Sequence, residues 1–401
     1  MTEAELRKRL LTDPVPEEVE AGRRSWEVVR AAYAARERAP WMERHSRAAL
    51  ALAAAAVLAV AAVTPPGRAL VASVRDRVTG ETPSEPALVR LPTGGRLLVE
   101  SARGPWVVRQ DGSKRRLGDY RAASWSPHGF FVVATTGPRL VALEPDGDVR
   151  WTVTRPIRVS DARWAASGIR IAYREGDALR VVIGNGEDDH LLTKGVAPIP
   201  PAWKPDVSGQ GFAAPNVLAY ADAGGAVHVV DVDTQEELWS APTGAEPRQL
   251  VWSGDGRRLL AVSRNGRVQL IFRASGGLAG VIRVPLGHKV VRAAFVPRRA
   301  TLAYVDFDPA ADESDVVLRD GRGSRTIFTA PGRLEDLVWS PDGRWLLVTW
   351  PSADQWIFLR APTGRGLSAV RNIGREFDPG GPGRAFPRVS GWVEDLPRAG
   401  A

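Results

Sequence analysis

Trp339-Ser340-Pro341-Asp342-Gly343 runs almost directly into the apolar stretch 345–348 (WLLV). The same order recurs at Trp252-Ser253-Gly254-Asp255-Gly256 before 259–262 (LLAV), and at Trp125-Ser126-Pro127-His128-Gly129 before 131–134 (FVVA). An aromatic closing one apolar run, a Ser, a tight Gly-containing turn and a second apolar run together read as a β-hairpin. Weaker copies begin at Trp164, Trp203 and Phe295, ahead of 169–173, 217–220 and 302–305. A seventh aromatic, Trp392, lies in 387–393 (PRVSGWV), and no further copy follows it. Consecutive anchors stand 39 to 53 residues apart, the spacing of blades built from four short strands each.

Each unit continues in the same way. Third strands are expected at 140–143, 179–183, 227–230, 268–272, 316–318 and 356–359, with Asp-Gly, Asn-Gly or Gly-Gly turns behind several of them. The Trp recurs because a large flat side chain fills the gap between neighbouring sheets. Before the first anchor, 96–100, 106–109 and 115–117 supply three strands that lack an anchored strand of their own, and 387–393 is an anchored strand that lacks three. Together they complete one blade. The expected fold is therefore all-β: a β-propeller of seven blades, its ring closed by strands from the two ends of the domain, which also hides strand edges. Six blades is the alternative count, because the last step contains the poorly patterned Gly/Pro stretch 377–383.

The Trp-Ser-Pro-Asp-Gly copies make residues 88–395 resemble the TolB-like, WD-type β-propeller repeat of bacterial envelope proteins. The pattern departs from the eukaryotic WD form: no Trp-Asp pair ends the third strands, and only Gly287-His288 matches its Gly-His signature. The resemblance implies a binding platform for proteins and sometimes for small ligands, in which the motif residues carry structure and not catalysis.

Outside the repeat the texture changes. Between Arg47 and Arg68 no residue is charged, and 48–63 (AALALAAAAVLAVAAV) is only Ala, Val and Leu. A helix of that length and uniform apolarity predicts a membrane span over 47–67. A cleaved signal peptide is the rival reading, but a charged leader of 47 residues is too long for one. Arg30, Arg36, Arg38, Arg44 and Arg47 before the span outweigh Arg68, Arg75 and Arg77 after it, which places the N-terminus in the cytoplasm and the larger part outside. Residues 1–46 read as a helical cytoplasmic tail with a narrow stripe at Val19, Trp26, Val29 and Tyr33. A juxtamembrane helix and linker follow over 68–87, and 396–401 form a short tail.

Composition narrows the chemistry. Of 401 residues 44% are hydrophobic and 25% charged, a globular balance, and the absence of Cys excludes disulfides, thiol nucleophiles and cysteine metal sites. His45, His128, His190, His228 and His288 are scattered, without the i, i+4 spacing of a helical metal site. No Gly-x-Ser-x-Gly elbow appears, Ser390 belonging to the closing strand, and no phosphate loop of the Gly-x-x-x-x-Gly-Lys type. Two acid clusters are weighed as cation sites: Glu187-Asp188-Asp189, and Asp306, Asp308, Asp312, Glu313 and Asp315. The second lacks the central Gly and terminal Glu of a calcium loop and reads as a solvated loop. A net charge of +8 is spread over nearly every blade without an aromatic-interleaved run, so no nucleic acid partner is expected; lipid headgroups suit the residues nearest the span.

No catalytic, cofactor or metal residue is therefore assigned, and no ligand-binding residue is singled out. The expected function is that of a single-pass membrane protein whose extracytoplasmic propeller binds a protein or envelope ligand. A hydrolase or lyase with a channel-mouth site is the alternative, and control of a cytoplasmic factor through the 1–46 tail is a third reading.

Overall fold

Short apolar runs joined by Gly turns form antiparallel hairpins, and in the computed structural model they assemble into four-stranded sheets. The structure describes residues 90–361, 366–378 and 385–395. Among these, seven such sheets are present. Blade I joins Arg388–Val393 to the three strands of 96–116; blades II to VII follow in chain order as 122–154, 159–193, 202–242, 247–283, 289–331 and 337–371. The innermost strands are Arg388–Val393, Ala122–Trp125, Val159–Trp164, Ala202–Trp203, Pro247–Trp252, Lys289–Phe295 and Leu337–Trp339. Each touches the innermost strand of the next blade, the seventh meeting the first, so the ring is closed.

All seven aromatics expected as anchors stand at or next to the ends of those strands. The closure expected from the orphan strands is also observed: Leu97 pairs with Trp392 and Glu100 with Arg388 in an antiparallel ladder. Seven, not six, is the count. The poorly patterned stretch 377–383 does not replace a blade: its first residue, the fully buried Phe377, ends a short helix, Ile373–Phe377, and packs against Trp106 and Trp356 at ring distances of 5.8 and 5.4 Å.

The core is divided. Buried residues fall into seven clusters among the described residues, one at each junction between neighbouring blades. Successive side chains of a strand point to opposite faces, so Val132 packs into the junction of blades I and II while Val133 packs into that of II and III. With both faces covered, second strands read as unbroken apolar runs, as 131–134 (FVVA) does.

The repeated motif holds these wedges together. The Nε1–H groups of Trp203, Trp252 and Trp339 donate to the carbonyls of Arg163, Ala202 and Ala294, at 2.8, 3.0 and 3.2 Å. Each acceptor directly precedes the anchor of the previous blade. After the Trp, the buried Ser253 and Ser340 hydroxyls accept the amides of Arg258 and Trp345 at 2.9 Å and donate to Asp255 and Asp342 at 2.5 Å. Gly256 and Gly343 close the turn at φ +65° and +66°, a conformation that costs a β-carbon residue about 1–2 kcal/mol.

The predicted membrane span over 47–67, the helical tail over 1–46, the segment 68–87 and the tail 396–401 lie outside the described residues. Among the described residues no helix is long and apolar enough to cross a membrane.

Candidate functional site

The Trp turns follow the ends of the innermost strands, so the beginnings of those strands gather at the other mouth of the central channel. There the ladders are irregular. Register shifts fall between Ser160 and Arg163, between Pro247 and Gln249, and between Val290 and Arg292, and the closing pair shifts beside Leu98 and Val99. A bulge bends its strand and re-aims a side chain. These shifts stand beside Asp161, Arg248, Arg292 and Arg388, and Asp161 adopts φ +56°.

Charges from five blades meet at this mouth. Asp336, 4% exposed and just ahead of the innermost strand of blade VII, lies 3.2 Å from Arg292 and 3.7 Å from Arg388, and accepts the Val389 amide. Thr349 Oγ1 accepts the Asp336 amide at 2.8 Å, which fixes the carboxylate's backbone. Glu100 of blade I reaches under blade II to accept the Ala123 amide at 2.9 Å. Asp161 pairs with Arg174 at 2.9 Å. Arg248 differs from all of these: its side chain has neither hydrogen bond nor ion pair among the described residues, and the charges that act on it are Arg292 and Arg333.

The titration of these groups reports the crowding. Burial, then the like charges of Arg292 and Arg333, pushes the Arg248 guanidinium down to about 10. Burial also lowers Arg163, with Glu100 and Asp161 opposing and Arg388 and Arg292 reinforcing the shift. Glu100 moves the other way: burial raises its carboxyl more than the Ala123 amide, Arg163 and Arg388 lower it. Five guanidiniums, Arg163, Arg248, Arg292, Arg333 and Arg388, thus stand against two carboxylates, Glu100 and Asp336, of which Asp336 already serves both Arg292 and Arg388. A low-dielectric rim with such an excess attracts anions.

The residues weighed from sequence lie elsewhere. His128 is exposed in its turn, His190 opens the outer strand of blade III, and Ser390 donates to the Leu98 carbonyl. His45 lies outside the described residues. His228 bridges Glu237 and Asp222 at 2.7 and 3.2 Å and stacks on Tyr220. Asp189 is a hub taking Arg155, Arg180 and the Tyr173 hydroxyl. Of the acids expected to form a solvated loop over 306–315, Asp312 alone lies in the exposed turn. Asp306 and Asp308 end one strand and Glu313 and Asp315 begin the next, with Asp306 opposite Asp315. His288 stands within 3.3 and 3.5 Å of Asp306 and Asp308, which lets the hairpin carry them. No group of three or more His, Asp or Glu placed to hold a metal occurs among the described residues.

The mouth itself was not visible in the sequence, where its arginines are separated by forty or more residues and look dispersed. The one signal is positional: Arg248, Arg292 and Arg388 stand three or four residues ahead of their anchors.

A second concavity lies on the opposite face, between blades II and III. It measures about 510 Å³ and is lined by Phe131, Trp151, Trp164 and Arg150, with Phe131 and Trp164 stacked at 6.3 Å.

No family model matches the chain, and no curated protein matches it. Its fold is that of solved β-propellers. It superposes on a protein from Lactobacillus plantarum with a TM-score of 0.53 at 15% identity, over 70% of this chain and 96% of that one. The C-terminal WD40 domain of Sif2 gives 0.51 at 12%, over 69% and 83%. The β-propeller domain of Cps50 (Swd1) from Myceliophteria thermophila gives 0.50 at 17%, over 70% and 97%. The chain is a seven-bladed β-propeller, a fold commonly used as a protein-interaction module.

Proposed function

We propose that this propeller is a binding module which engages a protein or cell-envelope ligand through the charged mouth of its channel. The observation that carries the reading is the convergence of Arg163, Arg248, Arg292 and Arg388 from four blades on one rim, around Asp336 and Glu100. A fold shared by many proteins does not fix a function, so the reading rests on the chemistry of this site. The apolar segment 48–63 anchors the chain, with residues 1–46 in the cytoplasm and the propeller outside.

The test is site-specific photo-cross-linking in intact cells from position 335 at the mouth, beside Asp336, and from position 238 on an outer strand. Capture of one defined partner from 335 and not from 238 supports the mouth as the binding surface; capture only from 238 overturns it. For topology, protease given access past the envelope is expected to digest the propeller and spare the tail. A protected propeller overturns the anchored arrangement.

Glu100 favours a second reading, a hydrolase or lyase. A carboxyl whose burial makes it hold its proton to higher pH is suited to general acid work. Turnover of an ester, lactone or uronide panel that disappears in Glu100→Gln would establish it.

A further inference from the structure

We propose that the channel mouth binds a phosphoryl group, or an oxyanion of the same size and charge, between Arg248, Arg292 and Arg333. The inference rests on the reading of this mouth as the binding surface and names the chemistry it takes. Arg248 is the extra residue of a bulge: Pro247 pairs with Ser263 and Gln249 with Val262, leaving Arg248 opposite nothing in the ladder. Its neighbour Gln249 is fully occupied in clamping the next blade, donating to the Ala293 carbonyl and accepting the Ala293 amide at 3.0 and 3.2 Å. The bulge is therefore held rigidly from both sides while the guanidinium it displays has no partner in the protein.

The surrounding charges do not complete it. Asp336 is committed to Arg292, Arg388 and the Val389 amide, and Glu100 to the Ala123 amide. Asp161 is committed to Arg174. Arg248, Arg292 and Arg333 come from blade V, blade VI and the connection into blade VII, and the charges of Arg292 and Arg333 both act on Arg248. Guanidiniums crowd in this way when a shared counter-ion joins them. A carboxylate offers one charge and two oxygens. A phosphoryl group offers about two charges and three oxygens, one oxygen for each guanidinium.

The full-length chain in a neutral detergent, at fixed ionic strength, is titrated calorimetrically with inorganic phosphate, glycerol 3-phosphate and acetate. Phosphate or the ester is expected to bind, and acetate to bind at least tenfold more weakly. Equal affinity for phosphate and ester identifies the free ion as sufficient, whereas preference for the ester points to a headgroup or a phosphorylated partner. Arg248→Gln and Arg333→Gln are each expected to weaken binding about 10- to 100-fold, the loss of one charged hydrogen-bonding group. Without phosphate, Arg248→Gln is expected to melt at or above the parent temperature, since it relieves like-charge repulsion; lost binding is then not misfolding. No binding of phosphate or ester, equal binding of acetate, or unchanged affinity in both variants overturns the proposal. If phosphate fails to bind while cross-linking from position 335 still captures one partner, the phosphoryl site falls and the partner surface stands. If phosphate binds and no partner is captured, the reverse holds.

Discussion

The two faces of the ring obey different rules. At the ends of the innermost strands, Ser253 and Ser340 make the same two bonds at the same distances, and three Trp Nε1–H groups reach equivalent carbonyls. At the beginnings the blades diverge. Asp161 pairs with Arg174, Arg292 and Arg388 converge on Asp336, and Arg248 has only like charges for company, while four inner ladders are bulged. The turn face is constrained by the need to join every blade to the next. The mouth bears no such constraint, so it is free to carry chemistry, at some cost in electrostatic comfort.

The comparison breaks first if the ring is not closed as described. Truncation after Phe386 removes the innermost strand of blade I, with Trp392 edge-on to Phe358 at 5.9 Å. Losing a buried Trp alone costs about 3–5 kcal/mol, against a typical total of about 5–15 kcal/mol. The truncated protein is expected to aggregate or to melt far below the parent, and Trp392→Ala to fall between them, as followed by tryptophan fluorescence. Equal stability of truncated and parent chains would mean that the termini do not share a blade.

A smaller effect separates paired from unpaired anchors. Trp252→Phe removes the bond to the Ala202 carbonyl, whereas the Trp164 Nε1–H is buried without a partner. In denaturant titrations Trp252→Phe is expected to cost about 1 kcal/mol more than Trp164→Phe, the net worth of one such bond. Equal losses would show that the anchor acts by bulk alone.

What the sequence disclosed follows the same division. Every second and third strand, all seven anchors and the closing pair were legible because they repeat, and repetition at a fixed period is visible without any structure. The bulk of the Trp was legible, but not its Nε1–H bond, which needs to know which carbonyl stands across the junction. Phe377 was unreadable for a related reason: it lies in a stretch with no strand pattern, and only closure shows that it plugs blades VII and I. The mouth was hidden most fully. Arg163, Arg248, Arg292 and Arg388 belong to four blades, and a contact made by ring closure leaves no local motif. The hairpin acids 306–315 misled because a run of carboxylates reads as solvated until His288, from the preceding connection, is brought beside it.

The finest distinction between the faces lies in two carboxyls shifted in opposite directions. In the turn, burial works to raise Asp255, but the Ser253 hydroxyl and the Arg257 amide outweigh it and hold the group below its ordinary 3.8. At the mouth, burial prevails over the Ala123 amide and the nearby arginines and holds Glu100 above its ordinary 4.5. By linkage, a depressed carboxyl stabilises the fold above its unfolded value and loses that contribution as pH falls through its folded one. A raised carboxyl stabilises below its unfolded value and loses that contribution as pH rises through its folded one. Asp255→Asn is therefore expected to lower the melting temperature at neutral pH, with the deficit shrinking below about pH 4. Glu100→Gln keeps an oxygen for the Ala123 amide and is expected to raise the melting temperature at neutral pH, with the gain vanishing in acid. Each effect should stay under about 1 kcal/mol, because both groups are partly open to water. Melting curves of the parent and both variants from about pH 3.5 to 8 give two difference profiles of opposite sign; profiles of the same sign would mean that the mouth is no more crowded than the turn.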